Sequence, residues 1–516
     1  MGSYIARRLF LMVPTIVGIT LMVFCLLALS PGGIGAGLRV TGGQMEASKA
    51  ALLEAYLEDR YGLKDPVVMQ YGRWLGRISP VKFGRRDQLK DGGELVRAPR
   101  SVKLPMLSGT AWNPWVPADA ADAIANAAAT DPAPGAEAGS NTLRATFNGV
   151  ARDYAKARAE YLVAGRDVER LLGRYAVEAG SPGLVAPDGE VDVEGVAALV
   201  PDRSLGSFQA VEVAVQVLDA KWVSCERARV QADGLFERLP YQQAGVPLVP
   251  GVLHLAAPDL GTAFSKGRPV LDLILDALPV TLLLNVLAIP VIYLVAVPTG
   301  ILAAARRGKW FDTISGATFV ALWSIPTVWA GVLMIGYLAD KKFLGWFPVA
   351  GLHAKNADSM PFLPSWAGGT FEMGYVLDTL WHVALPVACL VYGGFAVLAK
   401  QTRASMLDNA NMDFVRTAKA KGVTSRDVQI YHVFRNSLLP LITMFVAIFP
   451  AMLAGSLIVE KIFSVPGMGS LMLEAINLRD RELILANTFM VGMVNLLALL
   501  LADILYAFAD PRVSFD

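Results

Sequence analysis

Side chains able to do chemistry are few in this chain and poorly spaced for catalysis. The four histidines, His254, His353, His382 and His432, show neither an HExxH nor an HxxxH spacing. The paired helical ligands of a zinc hydrolase are therefore missing. Cys25, Cys225 and Cys389 lie far apart, two of them in apolar runs, which excludes a disulfide framework and a cysteine-rich metal site. No GxxxxGK[ST] segment occurs, so the usual backbone cradle for nucleotide phosphates is absent. No GxSxG elbow or paired intramembrane aspartates appear either, so a membrane enzyme is the least favoured class. What remains is a set of polar residues within apolar runs: Asn285, Thr443, Asn495 and Asp503. Inside a membrane such groups either hydrogen-bond between helices or line a solute path. The helix–helix bond is the simpler reading of each, and Asp503 lies where a loop arginine would pair with it.

Two further segments stand out. One runs Asp413-Phe414-Val415-Arg416-Thr417-Ala418-Lys419-Ala420-Lys421-Gly422-Val423 and continues to Arg435-Asn436-Ser437-Leu438-Leu439-Pro440. It reads as a short helix, a glycine turn and a second helix from about Ser425. Ala418 and Ala420 are small enough for another surface to approach closely. Gly422 suits a helix end that needs positive φ. An equally good physical reading is a basic helix lying on anionic lipid. The other segment is Val459-Glu460-Lys461-Ile462-Phe463-Ser464-Val465-Pro466-Gly467-Met468-Gly469, a Pro-Gly turn leading to a short amphipathic helix.

The elements that position these segments are membrane spans. Of 516 residues, 54% are apolar and 18% charged, the net charge is +1, and the mean hydropathy is +0.45. A soluble domain carries about 25% charged residues. The near-zero net charge gives no reason to expect nucleic acid as a partner. A span needs about 20 mostly apolar residues. Six stretches qualify: about Leu9–Leu29, Leu271–Ala305, Ile314–Leu338, Leu380–Ala399, Leu438–Val459 and Leu483–Phe508. Arg7 and Arg8 before the first stretch would suit a cleaved signal peptide. Its length, and Pro31 directly after Ala28-Leu29-Ser30, favour a retained span.

Lysine and arginine cluster at Arg7–Arg8, Arg306–Lys309, Lys400–Arg435 and Arg512. With six spans all four clusters share one side, which the positive-inside rule makes cytoplasmic. Both termini are then inside, and residues 31–270, 339–379 and 460–482 outside. The domains expected are a first span at 1–30, an external segment with short helices at 31–81, an insertion at 82–257, and a core at 258–516 that carries a loop at about 401–437.

Within the insertion, residues 80–110 are basic and irregular and 111–140 form an Ala/Pro-rich linker. Leu143, Phe147, Val150, Tyr154, Ala157, Tyr161, Ala164, Val168, Leu171 and Tyr175 then recur every 3.5 residues. A second such series is Phe208, Val211, Val215, Leu218, Trp222, Cys225, Arg229, Ala232, Phe236 and Leu239. The spacing predicts two helices, paired as an antiparallel hairpin over about 141–239.

Taken together, these features resemble the permease subunits of peptide/nickel-type ABC importers, of the dipeptide/oligopeptide B type, in the binding-protein-dependent transport inner-membrane family. The resemblance covers about 1–80 and 258–516. It rests on Tyr4-Ile5-Ala6-Arg7-Arg8-Leu9, Tyr61-Gly62-Leu63 with Gln70-Tyr71, Asp259-Leu260-Gly261-Thr262, Gly267-Arg268-Pro269-Val270, Arg306-Arg307-Gly308 and Ser324-Ile325-Pro326. The Arg-Thr-Ala-x-Ala-x-Gly loop, the VExIFxxPGxG stretch and the final Asp510-Pro511-Arg512 complete it. It implies an all-α membrane protein: six transmembrane helices of the type I ABC importer permease fold, with an extracytoplasmic helical-hairpin insertion that the family lacks. It also implies that residues 416–423 are the "EAA" coupling loop, docking on a cytoplasmic ATPase, although Arg416-Thr417-Ala418 replace Glu-Ala-Ala. Implied partners are a second, related permease chain, two ATPase subunits, an extracytoplasmic substrate-binding protein and the lipid bilayer. This chain would hold no cofactor; ATP and Mg would sit on the ATPases. The implied location is the cytoplasmic (inner) membrane, and peptides are the family's commonest substrate, beside nickel and other small solutes.

Two other classes remain as alternatives. An ion-driven secondary transporter would want a carboxylate near the middle of a span and inverted repeats, and neither is visible. A membrane-anchored coiled-coil interaction protein would make the hairpin the working part. For the six-span topology, single cysteines at Thr130 and Ala420 in a cysteine-free background should react with an impermeant thiol reagent from opposite sides. Labelling from the same side would refute it.

Overall fold

The computed structural model describes residues 2–29, 65–90, 95–108, 110–112, 140–186, 191–249, 251–367 and 370–509. The turn at Gly62, nearly all of the Ala/Pro linker and the final Asp510-Pro511-Arg512 lie outside the described residues. The chain forms two compact units, one of residues 1–38 with 260–516 and the other of residues 39–259.

Among the described residues of the first unit five helices are long and apolar enough to cross a membrane: Tyr4–Leu29, Val270–Ala305, Gly374–Ala410, Leu438–Ile462 and Arg481–Tyr506. The remaining expected span, about Ile314–Leu338, is not one straight helix. Trp310–Ser324 and Thr327–Ala339 meet at 88°, so six spans result only if this bent pair counts as one. The cause is Pro326, which has no N–H and disfavours helical geometry in the residue before it. Ile325 accordingly turns extended, with φ −79° and ψ 116°. Its carbonyl, outside the helical ladder, accepts a hydrogen bond from the Tyr392 hydroxyl at 3.0 Å. A second break divides Leu438–Ile462 at Gly455, where φ is 74°, a conformation glycine adopts without steric penalty. Pro279, Pro290 and Pro298, by contrast, lie within one continuous helix.

That long helix packs along Gly374–Ala410 through small residues. A Cβ on Gly300 would lie 2.6 Å from Thr402 Cβ, and one on Gly394 would lie 2.7 Å from Ile292 Cδ1. The first and last helices run antiparallel, joined near one end by Arg8 and Asp503, 3.0 Å apart.

The second unit is built on Ser140–Glu178 and Gly206–Phe236. Three contacts fix their antiparallel pairing. The rings of Phe147 and Phe236 are 6.5 Å apart, Lys221 and Glu160 pair at 2.6 Å, and the Ser207 amide donates to Glu178 at 3.0 Å. Phe147, Tyr154, Val168, Tyr175, Val211, Val215, Leu218, Trp222, Cys225 and Phe236 are buried. Leu172 and Ala176 are also buried, one position beyond the 3.5-residue series, because a straight helix of 3.6 residues per turn drifts away from that period. The off-pattern Arg229 is held by Glu226 at 2.6 Å.

Short strands, which the sequence pattern does not reveal, close the base of this unit. Val81–Phe83 pairs antiparallel with Leu253–Leu255, which pairs with Val246–Val249. Gln88–Leu89 lies between Leu95–Val96 and Gln242–Gln243. The unit thus extends beyond 82–257 on both sides, and ion pairs explain why. Asp65 binds both Arg73 and Lys103, and Arg97 binds Asp259. Part of the basic stretch at 80–110 is therefore neutralised within its own unit; Arg85 likewise pairs with Asp233 at 2.7 Å.

Burial pushes the Asp65 carboxyl up, but hydrogen bonds from Lys103 and Arg73 outweigh it and hold the group below its ordinary value. Its stabilising contribution is therefore present above about pH 4 and is lost as pH falls through the lowered value. Asp65→Asn should cost about 1–3 kcal/mol at neutral pH, between the values for exposed and fully buried pairs. Hydrogen exchange on the intact chain should show the Val67–Ile78 amides opening about five- to a hundredfold more readily. The difference from the native chain should shrink below about pH 4.

Candidate functional site

The basic loop forms a helix–turn–helix. Asp413–Ala420 is helical. Gly422, with φ 79°, ends it, and the Val423 amide returns to the Ala418 carbonyl at 3.3 Å. This is the left-handed glycine cap that satisfies the last carbonyls of a helix. Thr424 caps the next helix, accepting from the Asp427 amide at 3.2 Å and donating to its carboxylate at 2.7 Å. Pro440 falls in the first turn of Leu438–Val446, where its missing N–H is harmless.

The faces of the short helix differ from the sequence expectation at one residue. Val415 and Ala418 are buried in the chain's own core with Met406, Val428 and Val433. Ala418 is therefore small to fit its own neighbours and is not open to a partner. The exposed face consists of Arg416, Thr417, Lys419, Ala420, Lys421 and Gly422, with Val423 half-buried.

Polar contacts fix the loop to the helices on either side. Ser437 Oγ donates to the Ser405 carbonyl at 3.1 Å and Ser405 Oγ to the Ser437 carbonyl at 3.2 Å. Asn409 Nδ2 donates to Ser437 Oγ at 3.2 Å. One turn earlier, Arg403 Nη2 meets Asp312 at 2.8 Å. The same oxygen of that carboxylate, Oδ2, also accepts from the Gly308 amide at 3.0 Å, anchoring the turn of Arg306 and Arg307. The sequence gives no periodic signal for the serine pair, because single serines on two distant helices carry no spacing to read.

The four polar span residues are not brought together. Asn285 donates to the Thr281 carbonyl of its own helix at 2.8 Å. Thr443 bonds Tyr506 of the last helix. Asn495 is exposed. Asp503 pairs not with a loop arginine but with Arg8, and accepts from the Tyr4 hydroxyl at 2.9 Å. Antiparallel packing puts the start of the first helix beside the end of the last. No hydrogen bond among the described residues joins any two of the four.

Glu460, which hydropathy puts at the start of the external stretch 460–482, is a further polar residue of the membrane unit. It belongs to the Leu438–Ile462 candidate span, and its side chain is fully buried. Three donors meet its carboxylate: Thr281 Oγ1 at 3.0 Å, the Ser456 amide at 3.1 Å and the Ser470 amide at 2.9 Å. Nearby, Asp480 precedes the buried pair Arg481 and Glu482, whose charges meet at 2.9 Å. Burial pushes the Asp480 carboxyl up, although the amide and hydroxyl of Ser265 both donate to it.

Residues 296–515 match the family of binding-protein-dependent transport system inner membrane components. That range holds both the basic loop and the Glu460 segment. The inner membrane ABC transporter permease protein YejB of Escherichia coli O157:H7 is 36% identical over 259 residues, 50% of this chain and 68% of that protein. The oligopeptide transport system permease protein AppB of Bacillus subtilis is also 36% identical over 259 residues, which is 76% of its length. The di/tripeptide transport system permease protein DppB of Pseudomonas aeruginosa is 33% identical over 263 residues, 50% of this chain and 78% of that protein. The chain belongs to this family. It is a multi-pass inner-membrane permease of the ABC class, and the loop described above lies within the matched region.

Because Ala418 is enclosed by the permease itself, Ala418→Trp should overpack that core by about 1–3 kcal/mol. The melting temperature of the detergent-solubilised chain should fall measurably. Ala420→Trp, on the exposed face, should leave it nearly unchanged. Equal shifts from the two substitutions would contradict the assigned faces.

Proposed function

We propose that this permease is a transmembrane subunit of an ATP-driven importer, and that residues 416–423 are its coupling loop. One observation carries the reading. The apolar face of the short helix is already covered by the chain's own core, and what it turns outward is polar and basic. A helix that lies on a membrane presents an apolar face to lipid. This one has none to spare, so a protein groove is the better receiver for it.

The rest follows from that assignment and from the relatives. Two ATPase subunits would bind ATP and Mg and dock on the loops of this chain and of a related second permease. An extracytoplasmic binding protein would deliver the substrate, for which peptides are proposed because AppB and DppB are named for oligopeptides and di/tripeptides. Both termini would be cytoplasmic and residues 31–270 external. When the ATPases close, each pushes its coupling helix. Here the Ser405–Ser437 pair joins the helices before and after the loop, so a push on the loop moves both spans together. Alternating access is then a rigid-body change driven by differential binding of the two ATPase states.

The test is uptake of a mixed pool of short peptides, read by mass spectrometry, in vesicles holding the complete importer. Ala420→Trp should lower ATP-dependent uptake at least tenfold and release the ATPases during purification. The chain itself should remain inserted at normal amounts. Full uptake with the ATPases still bound would remove the loop from the mechanism.

A further inference from the structure

The Glu460 segment plays no part in the coupling just described, yet its backbone is tightly constrained. Residues 455–470 fold around one carboxylate. Glu460 Oε1 accepts from Thr281 Oγ1 and from the Ser456 amide, and Oε2 accepts from the Ser470 amide. Thr281 Oγ1 in turn accepts from the Met468 amide at 2.8 Å. The hydroxyl thus bridges the carboxylate and the start of the helix Met468–Asn477. Glu460 and Thr281 are both fully buried. The backbone comes so close that a Cβ on Gly467 would lie 2.6 Å from the carboxylate and from Thr281 Oγ1, and one on Gly455 would lie 2.7 Å from Oε1.

These bonds join three pieces of chain. Thr281 sits eleven residues into Val270–Ala305, about 16 Å of helical rise from its start. Leu457–Ile462 is the detached last segment of a broken span, and Met468–Asn477 is the helix after the Pro-Gly turn. On the side of the preceding helix the border of this assembly is a non-helical joint, while at Thr281 it is continuous with the Val270–Ala305 helix. Gly455, with φ 74°, separates it from the preceding helix. Ile462 packs against Gly331, in the part of the bent pair beyond Pro326. An assembly tied internally, fixed to the Val270–Ala305 helix and jointed at Gly455 moves with that helix as a body, the usual form of a hinge transition.

We propose that Glu460 is a positioning residue for transport: its carboxylate binds residues 456–470 to Thr281, so that this block turns as one piece about Gly455 while the pathway changes access. The proposal rests on the importer reading above. An ionised carboxylate only accepts hydrogen bonds, whereas a carboxamide presents an NH2 on one side. Glu460→Gln keeps the shape, but in either orientation aims that NH2 at a backbone N–H. The block should then lose its tie without losing volume.

Two readouts on the full chain test this. In purified protein, Glu460→Gln should speed hydrogen exchange at the Ser456 and Ser470 amides at least tenfold, leaving Gly374–Ala410 unchanged. In vesicles of the complete importer, peptide moved per ATP hydrolysed should fall at least tenfold while hydrolysis continues. A merely structural loss would lower both activities in proportion to the protein remaining. Thr281→Val should release the Met468 amide and lower the same ratio severalfold, and Thr281→Ser should restore it. The valine variant also decides the matter if Glu460→Gln does not fold. Unchanged exchange, or changed exchange with an unchanged peptide-to-ATP ratio, would overturn the inference. Native vesicles that move no peptide with ATP would instead sink the importer reading and this role with it.

Discussion

Every backbone N–H and C=O placed in hydrocarbon must find a partner within the protein, and the membrane unit is organised around that demand. Straight helices meet it automatically. Among the described residues the two sharpest departures from straight helix each have their own polar compensation. At the Pro326 bend the Leu322 carbonyl accepts from the Ile325 amide, and the Ile325 carbonyl, outside the helical ladder, is taken by the Tyr392 hydroxyl. Beyond Gly455 the amides of Ser456 and Ser470 converge on Glu460, and the amide of Met468 on Thr281. The breaks and the residues that satisfy them are thus parts of the same design. Removing a polar partner without restoring the helix would leave a buried group unpaired, at a cost of about 1–3 kcal/mol.

The two ends of the membrane unit use different chemistry. Near the basic loop the ties are the Ser405–Ser437 exchange and the Arg403–Asp312 pair. They fix one helix to another while leaving the short helix Asp413–Ala420 projecting. Around Glu460 the ties gather a turn into a knot. One arrangement is suited to receiving a push and the other to moving as a block. Between them run the Val270–Ala305 and Gly374–Ala410 helices, packed closely enough at Gly300 and Gly394 to act as a stiff strut.

Much of this was legible in the sequence, for reasons that can be named. Periodicity exposed the two long helices of residues 39–259, since Tyr154, Val168, Leu218 and Trp222 recur on faces that are indeed buried. Gly422 was readable because few residues other than glycine sit comfortably at φ 79°. Pro326 was visible too, but hydropathy averages over a window and does not register an 88° bend. Ala418 and Asp503 were misjudged for a shared reason. Both read naturally against open surface or the nearest loop, whereas Ala418 packs with Met406 and Val433 of the flanking helices and Asp503 meets Arg8 from the opposite end of the chain. Glu460 was taken for a loop residue because a charge at the end of an apolar run looks solvated, and only the fold shows three donors waiting for it.

The small sheet at the base of residues 39–259 has a practical meaning. Val81 lies opposite Leu255, and Phe83 opposite Leu253, so the chain leaves for the long hairpin and returns from it through two neighbouring strands, about 5 Å apart. Such a doorway constrains what lies beyond it very little, because the entropy of closing a loop grows only slowly with its length. The two strands act as a socket. A shortened hairpin or an affinity handle spliced between Phe83 and Leu253 would find its two ends already side by side, but it would have to replace Lys103 and Arg97, the partners of Asp65 and Asp259.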